Sequence, residues 1–98
     1  MEIRQPKNKQ ELEQCFDLRY RILRKPWRRP RGSEKDELED SAYHVAAFDK
    51  GKVVATGRLH RLTEKTARIR AMAVEEKYRR SGIGSEILKA LEKKAEEL

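Results

Sequence analysis

The sequence predicts an α/β domain of the α+β kind, with the element order β-α-α-β-β-β-α. Apolar residues recur at helical spacing near both ends of the chain, over residues 8–24 and 83–98. Between them, residues 43–74 hold three strand-like runs separated by the turn sequences DKGK and TEKT. At 98 residues the chain has the length of a single domain.

The composition predicts a folded domain with an anionic partner. Hydrophobic residues make up 37% of the chain and charged residues 42%, but the apolar residues are clustered, which argues against general disorder. There are 24 Lys and Arg against 17 Asp and Glu, a formal net charge of +7. A nucleic acid, a membrane surface and a phosphorylated small molecule all fit that charge, which does not choose among them.

Cysteine usage and hydropathy favour the cytoplasm. The single cysteine, Cys15, cannot form an internal disulfide, and the N-terminus lacks the apolar run of a signal peptide. No window reaches the length of a membrane span. We therefore expect a cytoplasmic protein without a membrane partner.

The first two elements are a short strand and a helix. Residues 2–5 (EIRQ) predict an edge strand. Asn8 is a candidate N-cap, with Glu11 three residues on as in a capping box. The helix that follows is predicted over residues 8–24, because Pro26 cannot continue an α-helical ladder.

A basic, proline-bounded loop then leads to a second, shorter helix. The loop is PWRRPRG, residues 26–32. Ser33 is followed by acidic residues at positions 34, 36 and 37, and carboxylates favour the first turn of a helix. We expect this helix to end near Ser41.

The three strand-like runs predict an antiparallel meander. They cover residues 43–48, 52–62 and 67–74, and Gly51 in DKGK is typical of a tight hairpin.

Two arginines and two glycines lie between the last of these strands and the last helix. The stretch YRRSGIG ends in Gly82 and Gly84, and helix 83–98 follows with an apolar stripe. Glycines at a helix N-terminus have no side chain to keep a ligand away, so the unpaired backbone amides can close around a phosphate. Arg79 and Arg80 would add positive charge. Such short glycine patterns are weak alone, and the position between a strand and a helix makes this one informative.

Residues 69–92 (IRAMAVEEKYRRSGIGSEILKALE) resemble the acetyl-CoA-binding signature of the GNAT superfamily of N-acyltransferases. That signature is Gln/Arg-x-x-Gly-x-Gly/Ala after a strand that ends in an apolar-Ala-Val run. The resemblance extends over nearly the whole chain. Within it, residues 16–36 are similar to the first helix and following loop of the GNAT domains that precede a thioesterase-like domain in some bacterial proteins.

The resemblance implies a GNAT-like mixed sheet without the C-terminal β-α-β-β of the full fold. Residues 1–98 would then be one acetyl-CoA-binding domain, truncated after the CoA-binding helix. The implied activity is that of an N-acetyltransferase, which moves the acetyl group of acetyl-CoA to a primary amine without a metal. The acceptor is not identified, and a small amine and a peptide both remain open.

The resemblance also implies the cofactor-binding residues. Met72, Ala73 and Val74 would line the pantetheine arm, and the Val74 amide would polarise the thioester carbonyl. The turn around the pyrophosphate would consist of Arg79, Arg80, Ser81, Gly82, Ile83, Gly84 and Ser85. The catalytic residues are unknown, because neither Tyr43 nor Tyr78 matches the position of the family's acidic tyrosine.

Strand 67–74 is expected to have an open edge, because the strand that pairs with it in the family has no counterpart in this sequence. Unpaired strand edges are templates for pairing with another chain. We therefore expect a homodimer through this strand. A non-catalytic CoA-binding or dimerisation module is the alternative to an enzyme.

Several other residues have a structural interpretation beside a functional one. Cys15 is expected to pack on the first helix rather than act as a nucleophile. His44 and His60 are expected to be satisfied sheet histidines without metal-ligand spacing. Arg68 and Arg70 alternate with apolar neighbours, which predicts a solvated sheet face.

The basic loop carries a third possible function. Basic residues interleaved with an aromatic can bind single-stranded nucleic acid by charge and stacking. We favour a loop that is solvated or borders the substrate, as in GNAT enzymes. The cluster consists of Arg24, Lys25, Trp27, Arg28, Arg29 and Arg31.

Overall fold

The computed structural model describes residues 1–36, 39 and 41–97. These residues form a four-stranded sheet in the order β1-β2-β3-β4, and each neighbouring pair is antiparallel. The α+β class and the meander are confirmed, but over the described residues the sheet is antiparallel throughout rather than mixed. The elements are β1 (Glu2–Arg4), α1 (Lys9–Arg19), β2 (Tyr43–Asp49), β3 (Lys52–Arg61), β4 (Ala67–Val74) and α2 (Ile83–Glu97).

The start of α1 follows its cap. Asn8 has extended backbone, with φ −154° and ψ 174°, and its side-chain oxygen accepts the Glu11 amide at 2.8 Å. The Glu11 carboxylate in turn accepts the amide of Lys7, the residue before the cap, at 2.8 Å, so one donor of the first turn and one just before the helix are satisfied. The predicted N-cap is confirmed.

The end of α1 differs from the prediction. The α-helix stops at Arg19 and the chain continues as a π-helical turn, Tyr20–Arg24, closed by the Lys25 amide on the Tyr20 carbonyl. A 3-10 turn, Lys25–Trp27, then contains Pro26. Proline has no N–H for the ladder, so the α-helical pattern cannot run through this position.

The second helix predicted from Ser33 to Ser41 does not begin there. Residues 33 and 34 lie in a turn and residues 35 and 36 in irregular chain. The Ser33 amide and hydroxyl both donate to the Pro30 carbonyl, which closes the turn before a helix can start. Residues 37, 38 and 40 of that predicted helix lie outside the described residues.

The two helices pack on opposite faces of the sheet. On the α1 face, Cys15 and Leu18 contact β-strand side chains of alternating position, including Ala46 and Phe48. On the α2 face, the buried cluster consists of Val45, Ala47, Val54, Ala55, Leu59, Ile83, Ile87 and Leu91. This alternation follows the two-residue period of the strands.

Gly57 sets how closely α2 approaches the sheet. A Cβ atom at this position would lie 2.6 Å from Met72 Sδ, 2.8 Å from Ile87 Cγ2 and 2.8 Å from Leu91 Cδ1. Such distances are far below van der Waals contact, so only glycine fits without a shift of β4 or α2. The glycine in the middle of β3 therefore serves close packing.

A β-bulge interrupts β4 between Arg70 and Ala73, opposite Thr56 and Arg58 of β3. Thr56 pairs with Ala73 and Arg58 pairs with Arg70, so three steps along β4 match two along β3. Ala71, inside the bulge, has φ 57°, a left-handed conformation that is uncommon for a residue with a side chain. The bulge keeps Arg70 and Ala73 on the same face although they are three residues apart.

Across positions 1–36, 39 and 41–97, the helices are too short or too polar to cross a lipid bilayer.

Candidate functional site

The segment between β4 and α2 is a tight loop with two left-handed residues. A 3-10 turn, Glu76–Tyr78, follows β4, and α2 begins at Ile83. Arg80 has φ 68° and Gly82 has φ 88°. These two residues reverse the chain so that the N-terminus of α2 faces back toward the end of β4.

Most amides of this loop have no acceptor within the part of the chain that the structure describes. The Ser81 amide donates to the Tyr78 carbonyl at 3.3 Å. The next amide along the chain that has an acceptor is that of Glu86, which donates to the Gly82 carbonyl at 3.1 Å. The amides without an acceptor are those of Arg80, Gly82, Ile83, Gly84 and Ser85. Together with the positive end of the α2 dipole they form a concavity suited to an anion.

A pocket of about 370 Å³ opens between this loop and the end of β4. Tyr78 also lines it, and sequence analysis had not placed Tyr78 in the site. The pocket brings together six of the ten residues predicted to bind the cofactor: Val74, Arg79, Arg80, Gly82, Gly84 and Ser85.

The other four predicted residues do not line this pocket. Met72 packs against the α2-side cluster, and Ile83 is buried within that cluster. Ala73 is buried on the α1 face. The Ser81 hydroxyl bonds back to the Tyr78 carbonyl. Ile83 and Ser81 thus contribute to the loop's shape.

The amide of Val74 faces the free edge of β4. Its neighbour, the Glu75 amide, donates to the Val54 carbonyl on β3 at 2.8 Å. Successive amides of an extended chain point in opposite directions, so the Val74 N–H is directed away from β3. Within the described residues β4 has no partner on that side. This amide is therefore available to a ligand beside the strand.

Side-chain bonds hold the loop against the sheet. The Tyr78 hydroxyl donates to the Asp49 carboxylate at the β2–β3 hairpin, and this bond raises the pKa of Tyr78. Arg21 of the π-helical turn donates two bonds to the Glu75 carboxylate, at 2.9 and 3.1 Å. These bonds hold the pKa of Glu75 below its ordinary value. The end of β4 is thus tied to the π-helical turn that follows α1 as well as to β3.

A second and larger cavity, of about 690 Å³, lies on the α1 face between the basic loop and β4. Its floor includes Arg58 and Arg70, and its rim includes Trp27, whose exposed fraction is 69%. Ala71 of the bulge also borders it. Arg68 and Arg70 are both exposed, so the predicted solvated face is confirmed, and Arg70 in addition lines this cavity.

Two buried arginines in this cavity share one carboxylate. Arg19 donates to Glu39 at 2.7 and 2.9 Å, and Arg58 donates to Glu39 at 2.8 Å and to Asp36 at 2.9 and 3.0 Å. Burial alone would raise the pKa of Glu39, but the bond from Arg19 and the two positive charges outweigh it and hold the pKa below its ordinary value. Glu39 is therefore ionised at neutral pH.

The predictions for the other polar residues have different outcomes. Cys15 is fully buried, burial raises the pKa of its thiol, and the structural interpretation is confirmed. His44 donates from Nε2 to the Glu39 carbonyl at 3.0 Å, as expected of a satisfied histidine. His60 is buried but its Nδ1 has no hydrogen-bond partner among the described residues, so the same expectation is wrong for His60.

Sequence reasoning missed Arg58 and Ala71. Arg58 lies in a run of strand residues that reads as core, and only its interruption of the apolar pattern was a signal. Ala71 carried no signal, because alanine is not typical of left-handed backbone.

The described residues contain no group of three or more His, Cys, Asp and Glu that could hold a metal ion.

Comparison with known proteins gives the family. Residues 12–98 match the Acetyltransferase (GNAT) family. The chain is 34% identical over 89 residues to the uncharacterized N-acetyltransferase YjcF of Bacillus subtilis (strain 168), covering 91% of this chain and 63% of that protein.

Solved structures share the fold. An aminoglycoside 6'-N-acetyltransferase complexed with coenzyme A matches with a TM-score of 0.80 at 24% identity, over 99% of this chain and 56% of that one. An acetyltransferase of the GNAT family from Staphylococcus aureus Mu50 matches with a TM-score of 0.77 at 19% identity, over 98% of this chain and 66% of that one. The chain thus spans less than two thirds of the length of these relatives. From the match over residues 12–98, the chain belongs to the acetyltransferase (GNAT) family.

Proposed function

We propose that this chain supplies the acetyl-CoA site of an N-acetyltransferase that acetylates a primary amine. The observation that carries the proposal is the loop before α2, where the amides of residues 80 and 82–85 have no acceptor among the described residues. A diphosphate is the ligand that such a turn at a helix N-terminus suits best. Arg79 and Arg80 add charge at its rim.

The pantetheine arm would run along the free edge of β4, past Met72, Ala73 and Val74. The Val74 amide would donate to the thioester carbonyl oxygen, where negative charge develops during reaction. The lone pair of a neutral amine attacks the carbonyl carbon, and the C–S bond breaks as the tetrahedral intermediate collapses. The amine loses a proton and the thiolate of CoA gains one. The residue that donates that proton is not assigned, since Tyr78 is bonded to Asp49.

The test replaces Gly82 by glutamate. The variant places an anion in the turn, so we expect coenzyme A binding, measured by calorimetry, to be lost. Gly51→Glu is the matched control, since Gly51 has φ 80° against 88° for Gly82 and a Cβ meets nothing within 4 Å at either position. Both variants carry the same charge and similar backbone strain. Unchanged affinity in Gly82→Glu, or equal loss in both, would refute the phosphate role.

We further propose that two copies of the chain pair through strand 67–74, along the part of its edge that precedes the residues proposed to line the pantetheine arm. The support is that β4 is at the edge of the sheet over the described residues. Unpaired strand edges favour association. Light scattering at increasing concentration should show a dimer, and a monomer throughout would exclude it. If CoA binds but no acetylated amine forms, the alternative of a non-catalytic module gains support.

Three parts of the interpretation stay predictions. They are the similarity to GNAT domains of thioesterase fusion proteins, the truncation of a single domain after its CoA-binding helix, and the cytoplasmic location.

A further inference from the structure

The large cavity on the α1 face is separate from the loop proposed to bind the diphosphate. It measures about 690 Å³ against about 370 Å³ for the pocket at the loop, and the two share no lining residue. It reaches β4 at Arg70 and Ala71, four and three residues before Val74. A molecule held there would lie on the α1 side of the strand beside which the thioester is proposed to sit.

The lining of this cavity is strongly cationic. Two of its residues are acidic, Glu34 and Asp36. Six are basic: Arg19, Arg24, Arg29, Lys35, Arg58 and Arg70.

The carboxylates are already engaged. Asp36 accepts two bonds from Arg58, at 2.9 and 3.0 Å, and one oxygen of Glu34 accepts the Gly32 amide at 2.8 Å. Glu39, close by, is occupied by Arg19 and Arg58. Among the residues that the structure describes, these acidic groups balance the two buried arginines and leave the other cations of the lining in excess.

Arg29 and Arg70 form no side-chain bond with any residue of the described chain. Neither has a carboxylate within ion-pair distance there, although both line the cavity. Uncompensated charges that converge on a concave surface attract counter-ions. Both side chains are exposed, and Arg70 lies next to the bulge of β4.

Two buried donors also lack an acceptor. The Nε atoms of Arg19 and Arg58 have no hydrogen-bond partner among the described residues, although the side chains are only 4% and 3% exposed. Unpaired buried donors are costly, and because these two atoms have no exposed surface of their own they face the protein interior and not the cavity. What these two side chains give the cavity is therefore the charge of their guanidinium groups, which adds to the exposed cations among its described lining residues.

We propose that this cavity binds the acceptor through an anionic group, so that the acceptor is an amine that also carries a carboxylate or a phosphate. The acceptor role rests on the proposed acetyltransferase function. Polyamines and aminoglycosides, which are polycations, are disfavoured because they would add positive charge to a site that already has an excess. Trp27 at the rim offers a flat apolar surface for the rest of the molecule.

Binding is measured by the fluorescence of Trp27, the single tryptophan of the chain, which lines the cavity. The probes are two matched pairs: O-phosphoethanolamine against ethanolamine, and γ-aminobutyrate against butylamine. Each pair differs by the anion alone, and the two anions separate phosphate from carboxylate. Coenzyme A is titrated in parallel by calorimetry.

We expect at least one anionic amine to bind and its partner without the anion not to bind. Arg70→Gln should weaken that binding about tenfold, the effect of losing one charge-assisted contact. Arg68→Gln is the control, because it removes the same charge from the same strand but outside the cavity. It should change the affinity less than about twofold.

The inference is overturned if both members of a pair bind equally, if no anionic amine binds, or if both variants weaken binding alike. A response of Trp27 to a single-stranded oligonucleotide but to no small amine would overturn it in favour of nucleic acid. If coenzyme A binds while the anionic amines do not, the inference falls and the proposed function stands. If the anionic amines bind through Arg70 but coenzyme A does not, the proposed function and the acceptor role fall together.

Discussion

Replacing Gly57 by alanine should destabilise the whole domain through a single added methyl group. The new Cβ would lie 2.6 Å from Met72 Sδ and 2.8 Å from both Ile87 Cγ2 and Leu91 Cδ1. The Met72 side chain is flexible and half-buried. Ile87 and Leu91 are fully buried on α2, so neither can swing into solvent.

The magnitude follows from how far the neighbours must move. Ordinary contact begins at 3.4 Å, so each must retreat by about 0.6–0.8 Å. Overpacking of a well-packed core costs about 1–3 kcal/mol. At ~4–8 °C per kcal/mol for a domain of this size, a cost of about 2 kcal/mol lowers the melting temperature by ~8–16 °C.

Thermal unfolding followed by circular dichroism measures this effect. Gly84→Ala is the control, because its Cβ would meet Val74 Cγ2 at 3.6 Å, an ordinary contact, and alanine favours helix over glycine. We expect Gly84→Ala to keep or raise the melting temperature. A Gly57→Ala protein that melts with the wild type would show that α2 does not pack on β3 as closely as described.

Three further outcomes are expected. Glu39→Gln should cost about 3 kcal/mol of the free energy of unfolding at pH 7, because it leaves two buried guanidinium groups short of charge. Since folding lowers the pKa of Glu39, the wild-type advantage is present above the ordinary value of 4.5 and is lost as pH falls through the lower folded pKa; urea titrations at pH 7 and pH 3 check this. Arg80→Asn should weaken coenzyme A binding about threefold to tenfold and flatten its salt dependence without changing stability, because asparagine tolerates left-handed backbone. Arg28→Asn, at φ 57° in the basic loop, should leave that affinity unchanged in calorimetry. Cys15 should react with a thiol reagent only as fast as the protein unfolds, and immediate labelling of the native protein would contradict its burial.

Local chemistry made much of the fold predictable. The Asn8 cap, strand 67–74 and the start of α2 at Ile83 are where the sequence placed them. In each case a short-range signal decided the outcome: a side-chain oxygen beside free amides, a two-residue alternation, or glycines before an apolar stripe. The loop pocket was predictable for the same reason, since most of its members are neighbours in sequence.

Contacts between distant parts of the chain were not predictable. The π-helical turn at Tyr20–Arg24 is tied to the end of β4 by the two bonds from Arg21 to Glu75, which are far apart in sequence. The large cavity joins residues as far apart as Arg19 and Arg70. The ion pair of Arg58 with Glu39 joins the sheet to the loop before β2, so it can be recognised only once the arrangement of the two is known.

The bulge at Ala71 costs free energy of folding, and the packing of the core does not require it. If β4 were one residue shorter there, Arg70 and Ala73 would still lie on the same face and the apolar alternation would be unchanged. The extra residue instead holds an alanine in left-handed backbone, which costs about 1 kcal/mol. Folding alone would favour its deletion, so we expect the extra residue to be kept for the shape that it gives to the wall of the cavity lined by Ala71.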